Sequence, residues 1–262
     1  LKQANFDYSI DDMVFFLKRI AEINENSLLK IDKQNTPDLD LFVKHLKSRL
    51  RESTEKYLNV GSIAHYFWKL NYVRDEELWT MLSTVVTEDR LRPTLKESVY
   101  ALEGFTILKN FRSKAQAIDH VYEILERIVM VTIWEENMTT YLRIAKSLVE
   151  VQRDSSKMFQ KLEYHILRNL DMEYELNTMV ELLFLFACSR KGSADFYHTM
   201  EFIIFKGHMF NKQFGIEFLR TEAPYSSSFV AKLCASYGQA MQMHPTLELD
   251  PNFRALVYDL ST

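Results

Sequence analysis

The chain is 262 residues long, 47% hydrophobic and 26% charged, with 32 Lys and Arg against 36 Asp and Glu for a net charge of −4 and a pI near 6.0. That apolar content is ample for a core, and the missing basic excess argues against nucleic acid as the main partner. Two cysteines, Cys188 and Cys234, fall in no ligand-spaced pattern, which argues against a disulfide framework or a structural zinc site, and Cys188, inside an apolar run, is expected to be a buried inert thiol.

Taken in order, the elements read as helices. Ser9 with Asp12 three residues on forms a capping box, and Met13, Phe16, Leu17 and Ile20 give the helix behind it an apolar stripe. A short second helix and a loop near 33–38, marked by Asn35 and Pro37, lead to an amphipathic helix over 39–58. Gly61 and Ser62 open a hairpin with helices near 62–71 and 75–87, closed by Pro93. Thr94 begins the next, whose turn at Phe111 precedes a helix from about 114 to 133. A third covers 136–170 with its turn near Arg153, and a fourth covers 172–209 with Arg190 to Ser193 as its turn and Gly207 near its end. A degenerate fifth unit spans 211–243, interrupted at Pro224, and a last short helix follows Pro251. No proline separates Pro93 from Pro224, which suits continuous helical hairpins and not strands.

The hairpins repeat. In the second helix Leu78, Ile118, Met158 and Phe196 are spaced 40, 40 and 38 apart, and one turn later Leu82, Tyr122, Leu162 and Met200 align. In the first helix Phe67, Phe105, Ala145 and Phe184 keep step with Ile63, Ala101, Tyr141 and Val180. A single hairpin cannot bury its own stripe, so a period of 38–40 residues predicts an all-α solenoid of stacked hairpins. The expected organisation is an N-terminal cap over 1–60, four repeats over 61–210, and a degenerate repeat with C-terminal cap over 211–262.

No pattern carries catalysis. The seven histidines form no HExxH or closely spaced carboxylate-backed pair, and His120, His165 and His198 fall near equivalent repeat positions, as packing residues would. Phosphate-cradling loops and nucleophile elbows are missing, and the acid runs at Asp11, Asp75 to Glu77 and Glu135 sit at helix starts, where they meet the dipole. The longest apolar stretch, Val180 to Cys188, falls far short of a bilayer span, so any membrane contact is peripheral. The sequence therefore predicts a non-enzyme with no cofactor and no metal. Two basic stretches are the candidate binding surface. Lys44, Lys47, Arg49 and Arg51 with Lys56 carry a surplus of three over nearby acids, and so do Arg143, Lys146, Arg153, Lys157 and Lys161 with Arg168. Each can meet phosphates or an acidic surface, or can simply be a solvated helix face.

The passage Glu175 to Ala187, its polar turn, and Asp195 to Glu201 is similar to octatricopeptide-type repeats and to the hairpins of FAST-kinase-like and RAP-domain proteins of mitochondria and plastids. Ile63 to Leu82 matches the same rhythm, and the likeness covers roughly 60–210, with armadillo- and HEAT-like arrays as alternatives. The resemblance implies RNA binding in an organelle. The acidic net charge and the lack of a RAP-type pattern turn the first expectation toward other protein subunits as partners, with RNA as the alternative. A first residue of Leu instead of Met fits a removed transit peptide or equally a further N-terminal region, and the resemblance implies a mitochondrial, matrix-side location, with plastid and cytoplasm as alternatives.

Overall fold

In the computed structural model of the protein, residues 8–26, 37–53, 56–88, 93–111, 115–134, 136–153, 155–169, 175–213 and 226–261 are described. The protein is all-α. Among those residues there are twelve α-helices, one 3-10 helix and no strand, and no helix is long and apolar enough to cross a membrane. The chain divides into two compact units at Ile133 and Trp134, a boundary inside the 61–210 array read from the sequence.

The first unit contains α1 (Ile10–Asn26), α2 (Pro37–Glu52), α3 (Lys56–Lys69), α4 (Glu76–Thr87), α5 (Leu95–Phe105), the 3-10 helix Thr106–Asn110, and α6 (Ala115–Thr132). The expected capping box starts α1: Ser9 N–H and Oγ donate to Asp12 Oδ2 at 3.1 and 2.8 Å, and Asp12 N–H donates back to Ser9 Oγ at 3.1 Å. Asp75 and Thr94 cap α4 and α5 by accepting from Leu78 N–H and Glu97 N–H, without the reciprocal bond. The helices pair as hairpins α1–α2, α3–α4 and α5–α6; α1, α3 and α5 pack in succession, and so do α2, α4 and α6. Residues 1–60 therefore supply a hairpin that packs like its neighbours. The α1 stripe is Ile10, Met13, Leu17 and Ala21, and Phe16, expected inside, is 43% exposed.

Gly61 and Ser62 lie inside α3 and do not open it. The reason is close approach. A Cβ on Gly61 would stand 2.0 Å from the Glu97 carbonyl oxygen of α5, and one on Gly104 of α5 would stand 2.4 Å from the Ala64 carbonyl carbon of α3. Glycine at both positions lets the two backbones touch. The seam also carries polar groups: Ser62 N–H and Oγ both donate to the Glu97 carboxylate, and buried His65 stacks on Tyr100 with its Nδ1 2.9 Å from Glu103 Oε2. The predicted helix over 39–58 is thus two, α2 and α3. The loop near 33–38 falls mostly outside the described residues, as do Arg112 and Ser113.

The second unit holds α7 (Met138–Glu150), α8 (Ser156–Arg168), α9 (Leu176–Cys188), α10 (Ala194–Gln213), α11 (Ser227–Met243) and α12 (Pro251–Ser261). Here α7, α9 and α11 pack in succession, α8 packs on α10, and the hairpins are α7–α8, α9–α10 and α11–α12. The last hairpin is therefore 227–261 and not 211–243, Gly207 lies within α10, and the Pro224 interruption is outside the described residues. Asp250 caps α12 ahead of Pro251 by accepting from Asn252 N–H at 2.7 Å, and its own N–H donates to buried Glu201 at 2.6 Å, tying the approach to α12 onto α10.

Of the aligned apolar positions, Leu78, Met158, Phe196, Leu82, Tyr122, Leu162 and Met200 are buried, as are Ile63, Phe67, Ala101, Phe105, Tyr141, Ala145 and Val180. Ile118 and Phe184 are only half-buried. In α9 the interior goes to Leu182, Leu183 and Phe186, because a helix packed against α7, α10 and α11 buries more than one stripe.

One feature recurs at the end of α3, α7 and α9. Asn71, Gln152 and Arg190 have φ of 50, 56 and 54°, and each sits where two hydrogen bonds close the helix. Tyr72 N–H donates to Phe67 O at 2.9 Å and Asn71 N–H to Trp68 O at 2.8 Å; Arg153 to Leu148 and Gln152 to Val149 do so at 3.2 and 3.0 Å, and Lys191 to Phe186 and Arg190 to Ala187 at 2.9 and 3.0 Å. These are Schellman closures made without glycine at the left-handed position. The α5 end differs, running into the 3-10 helix with Phe111 N–H donating to Leu108 O at 2.9 Å.

Candidate partner-binding groove

Two cations of the first basic stretch, Lys47 and Arg51, are taken up by the fold. Lys47 Nζ lies between Asp75 Oδ2 at 2.8 Å and Glu77 Oε2 at 2.7 Å, and Arg51 reaches Glu77 Oε1 at 2.6 Å. The Asp75 and Glu77 hydrogen bonds raise the Lys47 pKa, and Lys47 lowers that of Glu77. These acids lie 28 and 30 residues downstream of Lys47, so a count along the stretch misses them. Asp75 both caps α4, accepting from Leu78 N–H at 2.8 Å, and pairs across to α2. Lys44 is exposed and Arg49 half-buried, and the Lys56 side chain is outside the described residues.

The second stretch is divided between two helices. Half-buried Arg143 and exposed Lys146 belong to α7, Arg153 to the turn after it, and Lys157 and Lys161 to α8. Another face of α8 borders a groove of about 680 Å³ between that helix and the turn that leads into α10, and neither Lys157 nor Lys161 lines it. Phe159 and Leu167 give it an apolar lining, with Gln160, Glu163 and Tyr164 on the α8 bank and Arg190 to Ser193 on the other.

The turn is held from both sides. Lys191 Nζ crosses the groove to Ser156 Oγ at 2.7 Å, and Ser193 N–H and Oγ both donate to Glu163. Behind it, Tyr197 Oη donates to Lys191 O at 2.8 Å, and His244 Nε2 lies 2.9 Å from Gly192 O. Burial pushes the Tyr197 hydroxyl well above its ordinary range, which keeps it a neutral donor. Gly192 has φ of 96° and a Cβ there would meet the Phe196 and Tyr197 rings at 3.0 Å, so only glycine fits. Beside the groove, Lys157, Lys161, Tyr164 and Arg168 form one row of α8. Tyr164 is 49% exposed, the Arg168 guanidinium sits 5.0 Å from its ring centre and the Lys161 ammonium 6.0 Å.

Sequence reasoning found Lys157 and Lys161 but read Arg190 and Lys191 only as turn residues. The available signal was Arg190-Lys191-Gly192-Ser193 itself, two cations followed by a residue free to take positive φ. Cys188, expected inside, is exposed, and desolvation raises its thiol pKa, so nothing activates it. Of the three histidines at related positions only His165 is buried, while His120 and His198 face solvent. Among the described residues no group of three or more His, Cys, Asp or Glu is arranged around a metal position. Comparison with protein-family models, with curated proteins and with solved structures found no match.

Proposed function

We propose that the protein is a non-enzymatic α-solenoid of hairpins repeating every 38–40 residues, acting as a scaffold or accessory subunit of a larger, mitochondrial assembly. The observation that carries this reading is the packing order within each unit. First helices stack on first helices, and of the second helices α2, α4 and α6 pack in succession and α8 packs on α10, so neighbouring hairpins share a core and leave turns and grooves outward. Such surfaces suit protein partners. The recurrence of one helix closure at Asn71, Gln152 and Arg190 supports the repeat independently of the apolar pattern.

The runner-up is an octatricopeptide-like RNA-binding protein, favoured by one observation: Tyr164 lies exposed between Lys161 and Arg168, as a base-stacking platform would. Cross-linking of the protein in native extracts followed by identification of the linked peptides separates the two. The scaffold reading expects recurrent protein neighbours, and binding of single-stranded RNA no tighter than about 10⁻⁶ M at physiological salt, as a few phosphate contacts provide. Sequence-selective nanomolar RNA binding without stable protein neighbours would overturn it.

A further inference from the structure

The groove of the second unit has a charge pattern that its sequence count conceals. Two of its four lining charges are acids and both keep their charge, but with the adjoining Lys157, Lys161 and Arg168 the groove and its rim carry five cations against two acids. Ser193 N–H and Oγ hold the Glu163 carboxylate, and Asp195 sits in the first turn of α10, where the helix dipole meets it. The cations are differently placed. Arg190 is exposed and makes no ion pair among the described residues, and the row Lys157, Lys161 and Arg168 contains no acid. Arg190 is also kept at φ 54°, a conformation costing a non-glycine residue about 1 kcal/mol or more, at a position where helices ordinarily use glycine. Asn71 and Gln152 carry the same strain, so what distinguishes Arg190 is its place on the groove.

We propose that this groove binds a short acidic peptide segment of a partner protein, with an apolar side chain against half-buried Leu167 and carboxylates to Arg190 and the Lys157–Lys161–Arg168 row beside the groove. This inference rests on the scaffold reading and names the partner's chemistry. From Ser156 to Leu167 the α8 bank runs about 16 Å, the length of about five extended residues. A peptide of that length can place two or three carboxylates along the cations and one apolar residue in between. RNA is the poorer fit: about 16 Å of groove offers few phosphate contacts, which leaves binding weak at physiological salt.

The test is selection of a displayed random heptapeptide library on the full chain, followed by fluorescence anisotropy with the enriched peptide and, separately, with a labelled single-stranded RNA 12-mer. Enriched sequences should carry two or more Asp or Glu around an apolar residue. Arg190→Gly should raise the melting temperature yet weaken the peptide about three- to tenfold, and adding Lys157→Ala and Lys161→Ala should bring the loss to at least about thirtyfold. Gln152→Gly relieves the same backbone strain at a turn that does not line the groove, so it should leave binding unchanged. Selection of non-acidic peptides, or acidic binding indifferent to Arg190→Gly and the lysine changes, overturns the inference while native cross-links to protein can still uphold the scaffold. Tighter binding of the RNA than of the peptide, lost in the same variants, overturns both.

Discussion

Gly104→Ala tests the α3–α5 seam against the ordinary rule for helices. In a helix interior, replacing Gly by Ala gains up to about 1 kcal/mol of propensity. At Gly104 the new Cβ would stand 2.4 Å from the carbonyl carbon of Ala64, 2.6 Å from its Cβ and 2.7 Å from its oxygen. Two of those three atoms are backbone, so no side-chain rotation relieves the contact, and α3 and α5 must separate by about 1 Å to restore van der Waals distance. Overpacking of this kind costs about 3 kcal/mol or more, at the upper end of its usual range, so the net loss is about 2–4 kcal/mol. For a chain of this size that lowers the melting temperature by about 6–12 °C. Gly238→Ala is the internal control: Gly238 lies mid-helix in α11 with nothing within 4 Å of its added Cβ, so it should gain about 0.5–1 kcal/mol and melt slightly higher. Differential scanning calorimetry of both variants decides. A Gly104→Ala protein that melts at or above the wild type would show that the seam is not as close as described.

Gln152→Gly should stabilise the protein by about 0.5–1 kcal/mol, read by urea denaturation, because it removes left-handed strain at the α7 closure; a loss of stability would refute that closure. Leu162, fully buried in α8, should not tolerate a charge, and Leu162→Asp should cost several kcal/mol and unfold or aggregate the second unit, which circular dichroism and light scattering would detect. Burial, the leading cause, raises Tyr66 and Tyr72 to about 12 from 10.0. Their folded pKa values exceed the unfolded ones, so the associated stability is complete below pH 10 and falls as pH rises toward 12, where a spectrophotometric titration should show both ionising late; ordinary titration near 10 in the folded protein would contradict their burial.

What was legible in the sequence was whatever periodicity encodes. Helices, hairpin order and most buried positions follow from apolar residues three or four apart, since that spacing places them on one face. What was not legible depends on neighbours distant in the chain. Gly61 looked like a helix start because glycine is a poor helix former, and only Glu97 of α5, 36 positions later, explains it as a contact. Of the three left-handed closures, Asn71 uses a residue that tolerates that conformation, whereas Gln152 and Arg190 do not announce it. At the candidate surface, Lys47 and Arg51 were visible as cations but not as partners of Glu77, and the groove bank at Arg190 was hidden inside a turn.

Those errors share a cause that bears on function. Stacked hairpins draw polar side chains into the seams between them: Lys47 to Asp75 between α2 and α4, Lys232 to Glu181 at 2.6 Å between α11 and α9, and Glu163 to Ser193 beside α10. Each such contact fixes the register of one hairpin on the next and removes a charge from the surface that a partner meets. A local surplus of cations therefore says little until seam partners are subtracted. Subtraction removes Lys47 and Arg51 from the first surface and leaves the α8 row intact, since no ion pair among the described residues takes Lys157, Lys161 or Arg168. The residues left for recognition are those for which the neighbouring hairpin supplies no partner, and that is the ground on which we propose Arg190 and the α8 row as a binding surface.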